Sequence, residues 1–191
     1  YLNGVNYEGA CVWLGGDIFS GNIHEELVRT NETTILASLE YWIDPMIAGL
    51  KMVVEEFGKL HLPGVVGNLG RLSRKPIAKS RVEDNYDWLF YRQLERSLAG
   101  DKRITFQLPK SADAVVEQYD TRYLFTHGDQ FRGGGGISGL LAPLMTGDFR
   151  KRKRQAAVDQ PYDVMLMGHW HQFSHFRSII VNGALKGYDE Y

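Results

Sequence analysis

Five side chains of this sequence could hold a metal ion, and four of them sit in the same kind of place. Asp17 follows Trp13-Leu14-Gly15-Gly16, Asn68 follows Val65-Val66-Gly67, His127 follows Leu124-Phe125-Thr126, and His169 follows Leu166-Met167-Gly168. Each stands just beyond a short apolar run, where a buried strand would end, and open sheets gather ligands at the carboxyl ends of their strands. A single histidine beside an apolar run is more often a hydrogen-bonded structural group, but four such positions together point to a site. His171, two residues past His169, adds a further imidazole. One carboxylate, one amide oxygen and several imidazoles suit a borderline cation such as manganese, iron or zinc better than calcium. The lack of thiolates among them argues against a structural zinc finger.

The elements that must position these groups are legible as periodicities. Strands are expected at Cys11 to Leu14, Gly64 to Val66, Tyr123 to Phe125, Val164 to Met167 and Ser178 to Val181, all too continuously apolar to be half exposed. Two more, Thr105 to Leu108 and Ala114 to Tyr119, flank the Leu108-Pro109-Lys110-Ser111 turn. Ile35, Leu36, Leu39, Trp42, Ile43, Ile47, Leu50, Val53, Val54 and Phe57 recur at helical spacing, and Gly58 is a natural stop. Pro45 falls inside that pattern, which implies two helices or one kinked helix, with Asp44 as a cap. A second helix is expected from Asp84 to Leu98, its face formed by Trp88, Leu89, Tyr91, Leu94 and Leu98. Alternating strands and helices make the chain α/β or α+β.

With 191 residues the chain has the length of one ordinary domain, so it is read as one. Its 22 lysines and arginines against 23 aspartates and glutamates give a formal charge of −1, so no chain-wide positive field draws in a polyanion. Any phosphate recognition is local. The run Arg150-Lys151-Arg152-Lys153-Arg154 is the one basic cluster, either a solvated face or a phosphate track. Gly133 to Gly136 form a flexible loop or one that lets backbone approach a ligand. No apolar run nears the roughly 20 residues of a membrane span, so no membrane partner is expected. Cys11 is alone within an apolar run, which reads as a small buried hydrophobe in a reducing, cytoplasmic compartment. No apolar face is left over to mark an oligomer contact.

Gly16-Asp17, Gly67-Asn68, His127-Gly128 and Gly168-His169-Trp170-His171, in that order and followed by Asn182-Gly183, resemble the calcineurin-like metallophosphoesterase family over nearly the whole chain. The wording from Phe125 to Gly134 and from Asn182 to Tyr188 is similar to its phage and prophage branch, described as DNA-repair exonucleases. That resemblance implies a four-layer sandwich of two mixed β-sheets flanked by helices, and a pair of divalent cations. Manganese is the first expectation, with iron, zinc or nickel as alternatives. By the same resemblance Asp17 bridges both metals, Asn68, His127 and His169 complete one site, and His171 belongs to the other. The substrate would be a phosphate ester, with DNA among the candidates, in a bacterial or phage-infected cell. Arg71 would offer a charge-assisted bond to phosphate or a structural salt bridge.

Two departures bear on activity. The family's first motif, an aspartate and a histidine one residue apart, should lie tens of residues before Asp17, yet neither residue type precedes it. The expectation is an incomplete sequence, lacking a first strand and two ligands, rather than a lost metal site. Leu69 stands where the family has the histidine that orients substrate and protonates the leaving group, a contribution of about 10²- to 10⁴-fold. His24, His61 and His175 are left without a role, and His24, following the Asp17 loop, is the one placed to face a cleft. Three readings result: a metal-dependent phosphodiesterase or nuclease, a metal-retaining binding module without turnover, or a structural domain with coincidental donors.

Overall fold

The computed structural model describes residues 7–132, 139 and 141–185, so the Gly133 to Gly136 run and the Lys186-Gly187-Tyr188 wording lie outside the described residues. The chain is a mixed α/β protein with two β-sheets, each accompanied by helices, in two compact units, Tyr1–Ala112 and Asp113–Tyr191.

In the first unit, β1 (Ala10–Cys11), β2 (Leu60–Pro63) and β3 (Ile104–Gln107) form a sheet in that order, parallel throughout among the described residues rather than mixed. Parallel neighbours require crossovers. These are α1 (Glu25–Thr30) with α2 (Ile35–Phe57), and then α3 (Tyr86–Leu98). Ile35, Leu39, Leu50 and Val54 of α2 and Phe90, Tyr91, Leu94 and Leu98 of α3 share one buried cluster with Leu60 and Leu62 of β2.

Pro45 does not divide α2, which runs unbroken from its Thr34 cap to Gly58, and Asp44 is an exposed interior residue rather than a cap. The helix is held by its buried stripe, which outweighs the one hydrogen bond proline removes. Leu36, Tyr41, Trp42 and Met52 are exposed, although Leu36 and Trp42 belong to the expected apolar pattern.

The strand expected at Gly64 to Val66 lies four residues earlier. Val12, Leu14 and Val65 exchange backbone bonds with His61, Pro63 and Leu14 in the alternation of a parallel ladder, which aims the nitrogen of residue 63 at the Val12 carbonyl. Pro63 has no hydrogen to give there, so β1 stops at Cys11 and pairing resumes only as the Leu14–Gly64 bridge. Cys11 is exposed, not buried: Ala10 and Val12 take the core side of the strand and alternation turns Cys11 outward.

The second unit holds β4 (Asp113–Gln118), β5 (Thr121–Thr126), β6 (Val164–Met167), β7 (Ser174–Phe176) and β8 (Ile179–Val181), in the order β4-β5-β6-β8-β7. β3 and β4 are therefore not a hairpin; β4 pairs with β5 through a two-residue turn at Tyr119 and Asp120. The parallel steps β5–β6 and β6–β8 bring three carboxyl ends side by side. Helix α4 (Leu141–Ala156) bridges β5 and β6 and buries Leu144 with Leu124, Met165 and Met167.

Helix α4 carries the basic run, and only part of it is a solvated face. Lys151 is 4% exposed, paired with Asp113 and bonded to Gln130 Oε1 at 2.9 Å. Arg152 donates to Asp148 and to the Tyr162 and Asp163 carbonyls and lies over the Tyr162 ring. Arg150, Lys153 and Arg154 remain exposed. Among the described residues no helix is long and apolar enough to cross a membrane.

Truncating Lys151 leaves the Asp113 carboxylate buried without its cation, a loss of about 3–5 kcal/mol. Urea denaturation of Lys151→Ala is expected to show it, whereas Lys153→Ala, on the exposed face, stays within about 0.5 kcal/mol of wild type.

Candidate metal centre

The candidate ligands of the first unit lie on two loops fastened to the first turn of α3. Asp87, fully buried, accepts hydrogen bonds from the backbone N–H of Asp17 (2.9 Å), Ile18 (3.1 Å) and Gly67 (2.9 Å). A buried carboxylate is tolerated only when its oxygens are satisfied, and here the donors are the amides of the ligand loops themselves. Asn85 caps α3 by accepting from Asp87 N and donates its side-chain amide to the Gly67 carbonyl at 2.9 Å. Tyr86 N reaches the Gly70 carbonyl at 2.8 Å. The Tyr91 hydroxyl, one helical turn on, accepts from Gly16 N and donates to the Val65 carbonyl.

These bonds draw the loops into contact. Asp17 Oδ1 accepts from Leu69 N at 2.7 Å, so the position expected to supply a catalytic histidine supplies a backbone bond that orients the carboxylate. A Cβ on Gly67 would lie 2.0 Å from Asp17 Oδ1, which is why no side chain fits before Asn68. Asn68 is half-buried beside Asp17's partner Leu69. Arg71 ties the loop from within, donating to the carbonyls of Ser73, Asn68 and Arg74; among the described residues no carboxylate pairs with it, so the structural salt bridge is replaced by carbonyl bonds.

In the second unit His127 and His169 stand at the ends of the adjacent parallel strands β5 and β6, with ring centroids 5.2 Å apart in an edge-to-face arrangement. His127 is 2% exposed and His169 half-buried. Backbone bonds carry the ladder beyond the strands: Gly168 N to the His127 carbonyl at 3.0 Å, and Asn182 N to the Met167 carbonyl at 2.7 Å. A Cβ on Gly128 would lie 2.6 Å from Met167 Cε and 3.3 Å from His169 Cβ, so the glycine after His127 sets how closely the histidines approach. His171 is exposed.

Backbone conformation marks three of the same residues. Six described residues other than glycine have positive φ, and three of them are candidate ligands: Asp17 (53°), His169 (69°) and His171 (55°). Such conformations cost on the order of 1–3 kcal/mol and concentrate at functional sites. The remaining histidines differ. His61 is bonded across the sheet to Thr105 and Gln107, a structural role, while His24 and His175 are exposed.

Asp87 is the residue that sequence reasoning missed. A signal for it existed: positions 87, 90, 91, 94 and 98 form one helical stripe, buried throughout, and its first member is a carboxylate where the pattern calls for an apolar group.

Asp17, His127 and His169 carry donors of the kind that hold a divalent ion, and the oxygen and imidazole mixture fits such an ion by its chemistry. No protein-family model matches the sequence, and no curated protein matches it significantly. Among solved structures, a single mutant of Vps29 from Entamoeba histolytica is similar at 13% identity and a TM-score of 0.36, over 94% of this chain and 76% of that one.

Asp87→Asn replaces an acceptor oxygen with an N–H₂ that faces backbone donors. It is expected to lower stability by about 2–4 kcal/mol and metal affinity by about 10- to 100-fold, read by denaturation and calorimetric titration with manganese. A second expectation concerns alkaline pH. Burial, then the nearby Asp87 charge, pushes the Tyr91 phenol well above its usual range, and burial together with Asp148 raises Tyr162. The folded state thus holds protons that the unfolded chain releases near pH 10, so stability present below about pH 10 falls as pH rises further. Tyr91→Phe is expected to flatten that limb in urea midpoints taken from about pH 8 to pH 12.

Proposed function

We propose that this protein is a metal-dependent phosphoesterase acting on phosphodiesters, with DNA as the leading substrate class. The observation that carries the reading is the left-handed backbone at Asp17, His169 and His171, since strain kept at donor-bearing residues at strand ends is strain maintained for a ligand. The sequence resemblance assigns Asp17, Asn68, His127 and His169 to one cation and His171 to a second. A bound divalent ion would supply Lewis acidity toward phosphoryl oxygens and lower the pKa of a coordinated water.

The protein's own groups divide the remaining work. The Leu69 amide fixes the Asp17 carboxylate, and the α3 turn keeps both ligand loops in place before substrate arrives. Burial of His127 keeps its imidazole away from bulk water. Arg150, Lys153 and Arg154, exposed on α4, are available to a phosphate backbone; binding through them would weaken as salt rises. Leu69 cannot protonate a leaving group, so turnover is expected to favour esters with good leaving groups. That side chain also favours a second reading, a metal-retaining binding module without turnover.

Manganese-dependent hydrolysis of bis(p-nitrophenyl) phosphate tests the choice. The phosphoesterase reading expects activity in the wild type, its loss with bound metal in His169→Ala, and in Leu69→His a small rise on this good leaving group but one toward 10²-fold on a dinucleoside phosphate, at the low end of about 10²- to 10⁴-fold for general acid catalysis. Metal binding with flat traces from both the wild type and Leu69→His would select the binding module. No metal binding at all would overturn both.

A further inference from the structure

The first unit contains a cavity of about 600 Å³ that the metal chemistry does not use, within the range of roughly 300–1,000 Å³ typical of small-molecule sites. Its walls come from three segments: Ile18 and Ser20 directly after Asp17, Asn31 and Glu32 ahead of α2, and Tyr41 and Trp42 on α2. The two rings meet edge to face at 5.3 Å and an interplanar angle of 90°, and they are 68% and 50% exposed. Asn31 Nδ2 donates to the Ser20 carbonyl at 3.0 Å, which ties together two of the segments that line the pocket.

We propose that this cavity is a nucleobase subsite, the part of the protein that recognises the base of a nucleotide ester whose phosphate lies at Asp17. The proposal rests on the phosphoesterase reading for the phosphate, but its own argument is the chemistry of the walls. Among the described residues no lysine or arginine lines the cavity and a carboxylate does, so the phosphate itself is excluded from it. The Glu32 carboxylate also disfavours a lipid chain. A planar ring with amino groups satisfies both halves: its face stacks on Trp42 or Tyr41, and its exocyclic N–H donates to Glu32. Position agrees as well, because Ile18, in the wall, adjoins the candidate ligand Asp17 and is held by the same Asp87 carboxylate.

The test uses isothermal titration calorimetry of the full chain with adenosine, adenosine 5′-monophosphate and ribose 5-phosphate. Stacking contributes enough that Trp42→Ala should weaken adenosine and its monophosphate by roughly 5- to 100-fold while leaving ribose 5-phosphate unaltered. Trp42→Phe, which keeps a ring, should recover most of the loss. Since Trp42 is half exposed, thermal melting of the alanine variant should match wild type, which separates a lost contact from a lost fold. Asp17→Asn in metal-free buffer separates the two readings: adenosine binding that persists there and depends on Trp42 supports the subsite even if no phosphoesterase activity is found. Adenosine affinity equal in wild type and Trp42→Ala, or no adenosine binding by wild type, overturns the subsite even where hydrolysis is measured.

Discussion

The first unit depends on a single buried charge. Asp87 sits where a leucine would serve the core of α3 equally well, and its cost is met by three backbone amides belonging to two loops far away in sequence. The exchange works in both directions. The carboxylate needs those N–H groups to be buried at all, and the loops have no regular structure to occupy their amides otherwise. Removing the helix would leave the loops unpinned, and removing the loops would leave a charge in an apolar core. Asn85 and Tyr91 extend the same logic to the Gly67 carbonyl and the Gly16 amide, so one face of α3 is at once core packing and loop scaffold.

The second unit positions its candidate ligands differently. Its histidines leave directly from two neighbouring strands, and ladder bonds continue past the strand ends through Gly168 and Asn182. Rigidity there comes from the sheet. The buried charge of this unit lies elsewhere, in the Lys151 pair with Asp113, which joins α4 to the start of β4 and reaches Gln130 three residues after His127. A helix that looks designed for solvent by composition is thereby fixed by one of its own cations.

How much of this was legible in the sequence follows from which signals are local. β6 was readable to the residue, and β5, β4, β3 and β8 to within about two, because their apolar residues are concentrated in short runs bounded by polar and turn residues. β2 was misplaced because Leu60-His61-Leu62-Pro63 contains a histidine and a proline and looks less strand-like than Val65-Val66, although only the former has partners on both sides. The candidate ligands were legible as polar residues after apolar runs. Their support was not, since Asp87 bonds across 70 and 20 residues of chain, and no local pattern records which amides a carboxylate will meet. Lys151 failed for the same reason: five cations in a row read as one surface until the Asp113 partner, 38 residues earlier, is known.

Leu69 connects these levels. A histidine and a leucine at this position have the same backbone amide, so the bond to Asp17 Oδ1 survives either choice, and the loop keeps the same geometry with or without a proton donor. Placement of the candidate ligands and possession of an acid group are therefore separable in this fold. Gly67, the Leu69 amide and Asp87 are constrained together by distances that admit no extra atoms, whereas the side chain at 69 is half-buried and carries none of those bonds. A substitution there alters the chemistry on offer while leaving structure nearly untouched, so the arrangement of the candidate ligands does not depend on whether an acid group stands at residue 69.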